Sequence, residues 1–103
     1  MLYDPKWETQ IEIEPIKPWS KALLNTAELL EQQGWCQYRW CDPLGRYCIL
    51  GALSTVEIDD YTRDHALKVL RTYLKVHDLA VWNDREGRTV KEVTAKLRQA
   101  AQL

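Results

Sequence analysis

The sequence lacks several features that would assign a function at once. It contains no phenylalanine, one methionine and only four glycines, which are scattered at positions 34, 45, 51 and 87 and so form no glycine-rich phosphate loop. No run of about 18 apolar residues occurs, so the sequence predicts no membrane-spanning helix. The first eight residues, MLYDPKWE, lack the basic and then apolar pattern of a secretory signal. We therefore expect a protein of the cytoplasm, or of the host cytoplasm if its source is a virus.

An excess of positive charge is also missing. The chain has 14 Lys and Arg against 15 Asp and Glu, a net charge of −1. This balance argues against a general phosphate-binding surface and hence against nucleic acid as a partner. The basic residues near the C-terminus are interspersed with Glu86 and Glu92, which is typical of a solvated helix face.

The composition that remains is that of an ordinary globular protein. Apolar residues make up 46% and charged residues 28% of the 103 residues, which suits one domain with its own core. Three cysteines are an odd number and fit free thiols better than a disulfide framework. Five tryptophans and five tyrosines are many for this length, and such large rings suit both a core and a contact surface.

The N-terminal residues 1–17 are predicted to form a leader with a short edge strand. Residues 9–14, TQIEIE, alternate polar and apolar side chains, which is the period of a strand. Prolines on both sides keep this strand short and favour an edge position. The strand is expected to pair with the aromatic segment described below or with another chain, which would make a homodimer.

Residues 18–103 are predicted to form a compact helical domain of about four helices. The first runs from about Trp19 to Gln33, and Gly34 suits its end because glycine accepts positive φ. Further helices are expected over residues 48–56, from Asp59 or Asp60 to about His77, and after a capping box at 89–92. Their apolar faces follow helical spacing. These faces comprise Leu23, Ala27 and Leu30; Ala66, Leu67, Leu70, Tyr73 and Leu74; and Val90, Val93, Leu97 and Ala100.

Two segments between these helices are predicted to be irregular. Residues 35–48 contain the turn Asp42-Pro-Leu-Gly45 with aromatic residues on both sides, which indicates a short β-hairpin or a tight loop. Gly51 and Ala52 are small enough for another backbone to pack closely. Residues 79–88 are predicted to be a loop. The fold class is therefore mainly α with a short N-terminal strand and a small hairpin, and α+β is the alternative.

The three cysteines allow two chemical interpretations beyond a role in the core. A zinc site usually contains two close Cys pairs, whereas Cys36, Cys41 and Cys48 are separated by four and by six intervening residues. A fourth ligand would have to come from His65, His77 or Asp42. The spacing argues against a metal, and no cofactor is expected.

The second interpretation makes a cysteine the nucleophile of an enzyme. Cys48 lies at a predicted helix N-terminus, which favours a thiolate, and Cys36 is the other candidate. His65 or His77 would be the base, with Asn83 or Asp84 orienting it. Gln37 would serve as an oxyanion donor. No motif fixes this geometry, so a protein that is not an enzyme is favoured.

The segment around Trp82 has a more specific composition. Asn83 and Asp84 hold turns through their own backbone, and Asp84 is expected to pair with Arg88. One interpretation is that Trp82 anchors the last helix. The other is a polar binding pocket formed by Trp82, Asn83, Asp84 and Arg88.

Four short motifs in order resemble a family of small bacterial and phage proteins grouped as a domain of unknown function. They are GWCQ at 34–37, CILGAL at 48–53, WND at 82–84, and RT at 88–89 with Val93, and the resemblance spans about residues 20–101. Family members often have a longer insertion after the first cysteine, and Cys41 is extra here. The resemblance implies no activity. It implies that the motif residues converge, so residues 35–45 should pack against residues 82–88 with Cys36 and Cys48 between them.

The functional hypothesis that follows is a binding module that recognises a protein partner and is associated with phages or mobile elements. It depends on the small size, the absence of catalytic motifs, the many aromatic residues and the edge strand, which suits strand addition. The predicted binding residues are Gln37, Trp82, Asn83, Asp84 and Arg88. The alternatives are a thiol-dependent enzyme that uses Cys48 or Cys36, and a metal-bound structural domain.

Overall fold

A computed structural model describes residues 17–103, which contain five α-helices and almost no strand. The mainly α prediction is confirmed. No helix of this range is long and apolar enough to cross a membrane. The predicted leader strand lies outside the described residues. The helices are α1 (Pro18–Gln33), α2 (Ile49–Thr55), α3 (Asp60–Leu74), α4 (Leu79–Asn83) and α5 (Val90–Ala100).

Local interactions set the ends of the longer helices. Gly34 follows α1 with φ 98°, and its N–H donates to the Leu30 carbonyl, as a helix-ending glycine should. The Asp59 carboxylate accepts the N–H of Thr62 and so caps α3. The prediction that α3 extends to about His77 was wrong, because Lys75 adopts a left-handed conformation with φ 58° and ends the helix after Leu74.

The core is formed where α1 packs against α2, α3 and α5. Ser20 donates to the carbonyl of Ala101, while Leu30 and Val90 line a common groove, so α1 and α5 run in opposite directions. Most predicted core residues are confirmed as buried. Those with at most 1% of their surface exposed are Leu23, Ala27, Leu30, Ala66, Leu70, Val93, Leu97 and Ala100. The prediction that Val90 faces the core was wrong, because Val90 begins α5 and is 39% exposed.

Helix α4 lies in the segment that was predicted to be a loop. The Asp78 carboxylate accepts the N–H groups of Ala80 at 2.9 Å and Val81 at 3.3 Å, which begins this short helix. Leu79 faces the core and is 2% exposed. The described residues therefore contain five helices instead of about four.

The aromatic segment 35–48 is a loop and not a hairpin. Within the described residues it forms two isolated β-bridges, which join Tyr47 to Trp35 and to Cys41. A continuous ladder cannot form because Tyr38 has φ 73°, which turns the chain out of the extended conformation. The predicted turn is confirmed, since the N–H of Gly45 donates to the Asp42 carbonyl at 2.9 Å.

The loop approaches α2 at the predicted glycine. A Cβ atom placed on Gly51 would lie 2.2 Å from the carbonyl oxygen of Trp40, so only glycine fits this contact. The same carbonyl accepts the N–H of Cys48 at 3.1 Å. The close packing fixes the loop on the start of α2.

Candidate functional site

The side chain of Asn83, at the end of α4, is fully buried and joins three parts of the chain. Its Oδ1 accepts the indole N–H of Trp35 at 2.7 Å and the backbone N–H of Ile49 at 3.0 Å. Its Nδ2 donates to the carbonyl of Cys36 at 3.2 Å and to Oδ1 of Asp84 at 3.0 Å. Two accepted and two donated bonds use the full hydrogen-bonding capacity of a side-chain amide.

Gln37 and Tyr38 extend this network along α4. Nε2 of Gln37 donates to the carbonyls of Asn83 at 3.1 Å and Arg85 at 3.0 Å. The backbone N–H of Tyr38 donates to Oδ1 of Asp84 at 2.8 Å. The predicted packing of residues 35–45 against residues 82–88 is therefore confirmed, and it occurs through directed polar bonds.

Two of the three cysteines lie in the interior beside this network. Cys36 is 8% and Cys48 is 4% exposed, whereas Cys41 is exposed. The thiol of Cys36 lies 3.3 Å from the Arg46 carbonyl and 3.4 Å from that of Arg39. Burial raises the pKa of Cys36, and the nearby carboxylate of Asp42 adds to this effect. Cys36 is thus held as a neutral thiol.

The candidate nucleophile Cys48 and the candidate base His65 have other contacts in the structure. Cys48 caps α2, where its Sγ accepts the N–H of Gly51 at 3.3 Å. His65 is exposed on α3, and its ring lies 5.7 Å from that of Trp19 and 6.3 Å from that of Tyr61. No hydrogen bond within residues 17–103 joins His65 to a thiol.

The same holds for the other proposed catalytic groups. The amides of Asn83 and Gln37 are occupied by the bonds described above, so neither is free to orient a base or to stabilise an oxyanion. The part of the chain that the structure describes also contains no group of three or more His, Cys, Asp and Glu side chains that could hold a metal ion.

Arg88 stacks on Trp82 and ties α4 to α5. Its guanidinium lies 3.9 Å from the centre of the indole ring, and its Nε donates to the Trp82 carbonyl at 2.9 Å. Its Nη1 pairs with the Glu92 carboxylate at 2.7 Å. The predicted Asp84–Arg88 pair is wrong, because the Asp84 carboxylate turns towards Tyr38 instead.

The predicted capping box of α5 forms only in part. Oγ1 of Thr89 accepts the N–H of Glu92 at 3.2 Å, which caps the helix as expected. The Glu92 carboxylate pairs with Arg88 and does not return to the Thr89 backbone. The segment thereby gains a link to α4 that the box alone would lack.

The outer side of α4 borders a groove with a volume of about 670 Å³, called here the α4 groove. Its walls are mostly apolar, and Val81 is 67% exposed within it. The lining residues are Val76, His77, Asp78, Val81, Trp82, Asp84, Arg85 and Arg88. Three of them, Trp82, Asp84 and Arg88, were predicted as binding residues, and His77 was named as a candidate base or metal ligand. Val76 and Val81 were missed, since their position at the groove follows only once residues 79–83 are known to be helical.

These features define a small helical domain in which a buried amide network supports an open surface groove. Residues 16–103 match the model of a family described as "Family of unknown function (DUF6197)". The match covers most of the chain, so the chain belongs to this family. No curated protein and no solved structure matches it.

Proposed function

We propose that this chain is a binding module that recognises a protein partner through the α4 groove. The observation that carries the proposal is the 67% exposure of Val81 in a mostly apolar groove. Exposed apolar concavities with polar rims are typical of sites where proteins bind one another. A groove that is already shaped loses little conformational entropy on binding.

The network behind the groove supports this role. Trp82, Asp84 and Arg88 line the groove and would contact the partner. Gln37 and Asn83 would act as positioning residues, since their amides bond to the backbone that carries the groove. The five predicted binding residues therefore divide into two that hold the site and three that face it.

A second surface close to the groove supports partner binding as well. The loop 35–48 exposes large apolar side chains, with Tyr38 at 73%, Trp40 at 58% and Leu44 at 76% exposed. The backbone of Tyr38 is bonded to the groove residue Asp84. Aromatic side chains are enriched in the cores of protein interfaces, so this loop would widen the contact.

The thiol-dependent and metal-bound alternatives receive no comparable support. The raised pKa of Cys36 disfavours its thiolate, and the thiol of Cys48 is used as a helix cap. The described residues offer neither thiol a histidine partner.

The proposal includes a bacterial or phage origin and a cytoplasmic location. The GWCQ and WND motifs support the origin, and three unpaired cysteines suit a reducing compartment. The genes adjacent to those of family members would test the first, and fractionation of cells that express the tagged chain would test the second.

The function itself is tested by comparing retained proteins. Wild type and Val81→Asp would each be immobilised as the full chain and exposed to lysate of the native host. We expect wild type to retain a partner that the variant loses, because a carboxylate in the groove would have to be desolvated on binding.

Tyr61→Asp is the matched control, since Tyr61 is 79% exposed near the opposite end of α3. This variant should retain the same proteins as wild type. Circular dichroism and urea unfolding would verify that all three chains are folded. Equal retention by wild type and Val81→Asp would contradict the proposal.

A further inference from the structure

A cluster of basic side chains lies next to the α4 groove. Lys68, Arg71 and Lys75 are spaced three and four residues apart and so share one face at the end of α3. Together with Val76 and His77 they border a shallow depression. Because Val76 and His77 also line the α4 groove, the basic cluster and the groove form one continuous surface.

In the part of the chain that the structure describes, no member of this cluster forms an ion pair. The ion pairs within residues 17–103 involve Arg46, Arg63, Arg88 and Arg98 instead. Arg71 and Lys75 also interact favourably with the helix dipole at the C-terminal end of α3. This interaction does not remove their charge, which can still attract a partner.

The two acids in the groove lining, Asp78 and Asp84, keep their negative charges and offset the two arginines of the same lining. Asp78 caps α4, and Asp84 accepts the N–H of Tyr38. Arg85, one of these arginines, is exposed. The excess of positive charge on this surface therefore comes from the basic cluster at the border of the apolar groove, although the whole chain has a net charge of −1.

We infer that the partner presents an acidic amphipathic segment to this surface. Its apolar side chains would contact Val81 and Trp82, and its carboxylates would face Lys68, Arg71 and Lys75. Charge complementarity of this kind sets specificity and association rate, and an amphipathic segment in an apolar groove is a common mode of peptide recognition. The inference rests on the proposed function and names the chemistry of the partner.

A random-peptide display library selected on the full-length protein would test this chemistry. Peptides that also bind Val81→Gln would be discarded, so that only groove binders remain; this variant is neutral and does not itself select for acidic peptides. We expect the survivors to be enriched in Asp and Glu and to contain large apolar residues.

The affinity of the most enriched peptide would then be measured by fluorescence anisotropy. Raising the salt from about 50 mM to about 500 mM should weaken binding about threefold to tenfold, because salt screens exposed charges. The double variant Lys68→Glu and Lys75→Glu should weaken binding by about tenfold or more. The matched control, Lys21→Glu with Lys91→Glu, changes the net charge equally and should alter binding by about twofold at most.

Several outcomes would overturn the inference. Surviving peptides that are neutral or basic, or the absence of any survivor, would each do so. If the chain binds a labelled DNA duplex and the Lys68 and Lys75 variant does not, the cluster would be assigned to nucleic acid. If light scattering shows that the chain self-associates and Val81→Asp abolishes this, the groove would be assigned to a second copy of this chain. If Val81→Asp loses a host partner but the selected peptides are not acidic, the proposed function stands and only this inference is rejected.

Discussion

The bundle of α1, α3 and α5 and the region formed by the loop 35–48 with α4 are held together in different ways. The bundle interlocks alanine and leucine side chains such as Ala27, Leu70 and Leu97, which are fully buried. The other region depends on hydrogen bonds that converge on Asn83. Apolar packing tolerates modest repacking, whereas hydrogen bonds require specific distances and angles. The groove thus lies on the part of the molecule whose geometry is the more narrowly defined.

The largest effect is expected when the network loses its centre. Asn83→Leu keeps a side chain of similar size but leaves the N–H groups of Trp35 and Ile49 and the carbonyl of Cys36 without their partner. Each unsatisfied buried group costs about 1–3 kcal/mol, so we expect a loss of about 4 kcal/mol in the free energy of unfolding. Urea unfolding measures this loss.

Asn25→Leu is the matched control, because Asn25 is exposed on α1. It should change the free energy of unfolding by at most about 0.5 kcal/mol. If Asn83→Leu were tolerated as well as Asn25→Leu, the network would not hold the region together.

The contact between the loop 35–48 and α2 is expected to be nearly as sensitive. Gly51→Ala would place Cβ 2.2 Å from the Trp40 carbonyl oxygen, and both groups belong to constrained backbone. We expect a net loss of about 2–3 kcal/mol in urea unfolding, despite the helical preference of alanine. Gly87→Ala provides the comparison, since it meets no atom within 4 Å and its φ of +87° alone should cost about 1 kcal/mol. A stabilised Gly51→Ala variant would show that the loop is free to move away.

A smaller effect is expected at the link between α4 and α5. Arg88→Lys keeps the positive charge but loses the planar guanidinium that stacks on Trp82 and bonds to its carbonyl. The free energy of unfolding should fall by about 1.5 kcal/mol, with a change in tryptophan fluorescence. Arg85→Lys is the control at an exposed position and should be nearly neutral. Equal behaviour of the two variants would argue that the stack does not stabilise the groove.

The reaction rates of the thiols measure how well the loop region excludes solvent. Cys41 is exposed, whereas Cys36 is buried with a raised pKa, so Cys41 should react with iodoacetamide at least about tenfold faster at neutral pH. Peptide mass spectrometry over time measures each rate. Asn83→Leu should accelerate the reaction of Cys36. A faster reaction at Cys36 or Cys48 than at Cys41 would restore the thiol-dependent enzyme as a hypothesis.

Acid is expected to have the smallest effects on stability, and each of the two regions contains one carboxylate through which it acts. In the bundle, the hydrogen bond from Arg98 lowers the pKa of Glu31 below its ordinary value of 4.5. In the loop, desolvation opposes ionisation of Asp42, but the backbone N–H and guanidinium of Arg46 outweigh it and lower the pKa below 3.8.

A carboxyl group whose pKa is lower in the folded than in the unfolded chain stabilises the folded state at pH values above its ordinary pKa. This stabilisation is lost as the pH falls through the pKa of the folded state. Urea midpoints should therefore decline as the pH falls below about 4.5. Glu31→Gln and Asp42→Asn should each make the decline shallower. An unchanged pH profile in Asp42→Asn would show that its pair with Arg46 adds nothing to the stability of the loop.

Periodicity and capping residues predicted the long helices, because both are local in sequence. The start of α3 follows from Asp59 and the end of α1 from Gly34, each within a few residues of the helix that it bounds. Helix α4 has five residues, fewer than two turns, so its side chains cannot show a helical period. Asp78 was the available indication of its start, since it caps α4 as Asp59 caps α3.

The site was predicted as a set of residues but not as an arrangement. Resemblance grouped Gln37, Asn83 and Asp84, yet their bonds depend on which backbone groups the fold places beside them. The pairing of Arg88 with Glu92 instead of Asp84 illustrates this limit. Asp84 and Glu92 are each four residues from Arg88, so spacing alone does not choose between them. The bond that engages the Asp84 carboxylate comes from Tyr38, which is 46 residues away.

The long sequence separations within the network also have a kinetic consequence. The hydrogen bonds between Asn83 and Ile49, Cys36 and Trp35 span 34, 47 and 48 residues. Contacts between distant residues close large loops and form slowly, whereas the turns of α1 and α3 are local. We expect the network to form late in folding, so that removing Asn83 mainly accelerates unfolding and leaves the folding rate nearly unchanged. The groove would then be the last part of the molecule to assemble and the first to be lost.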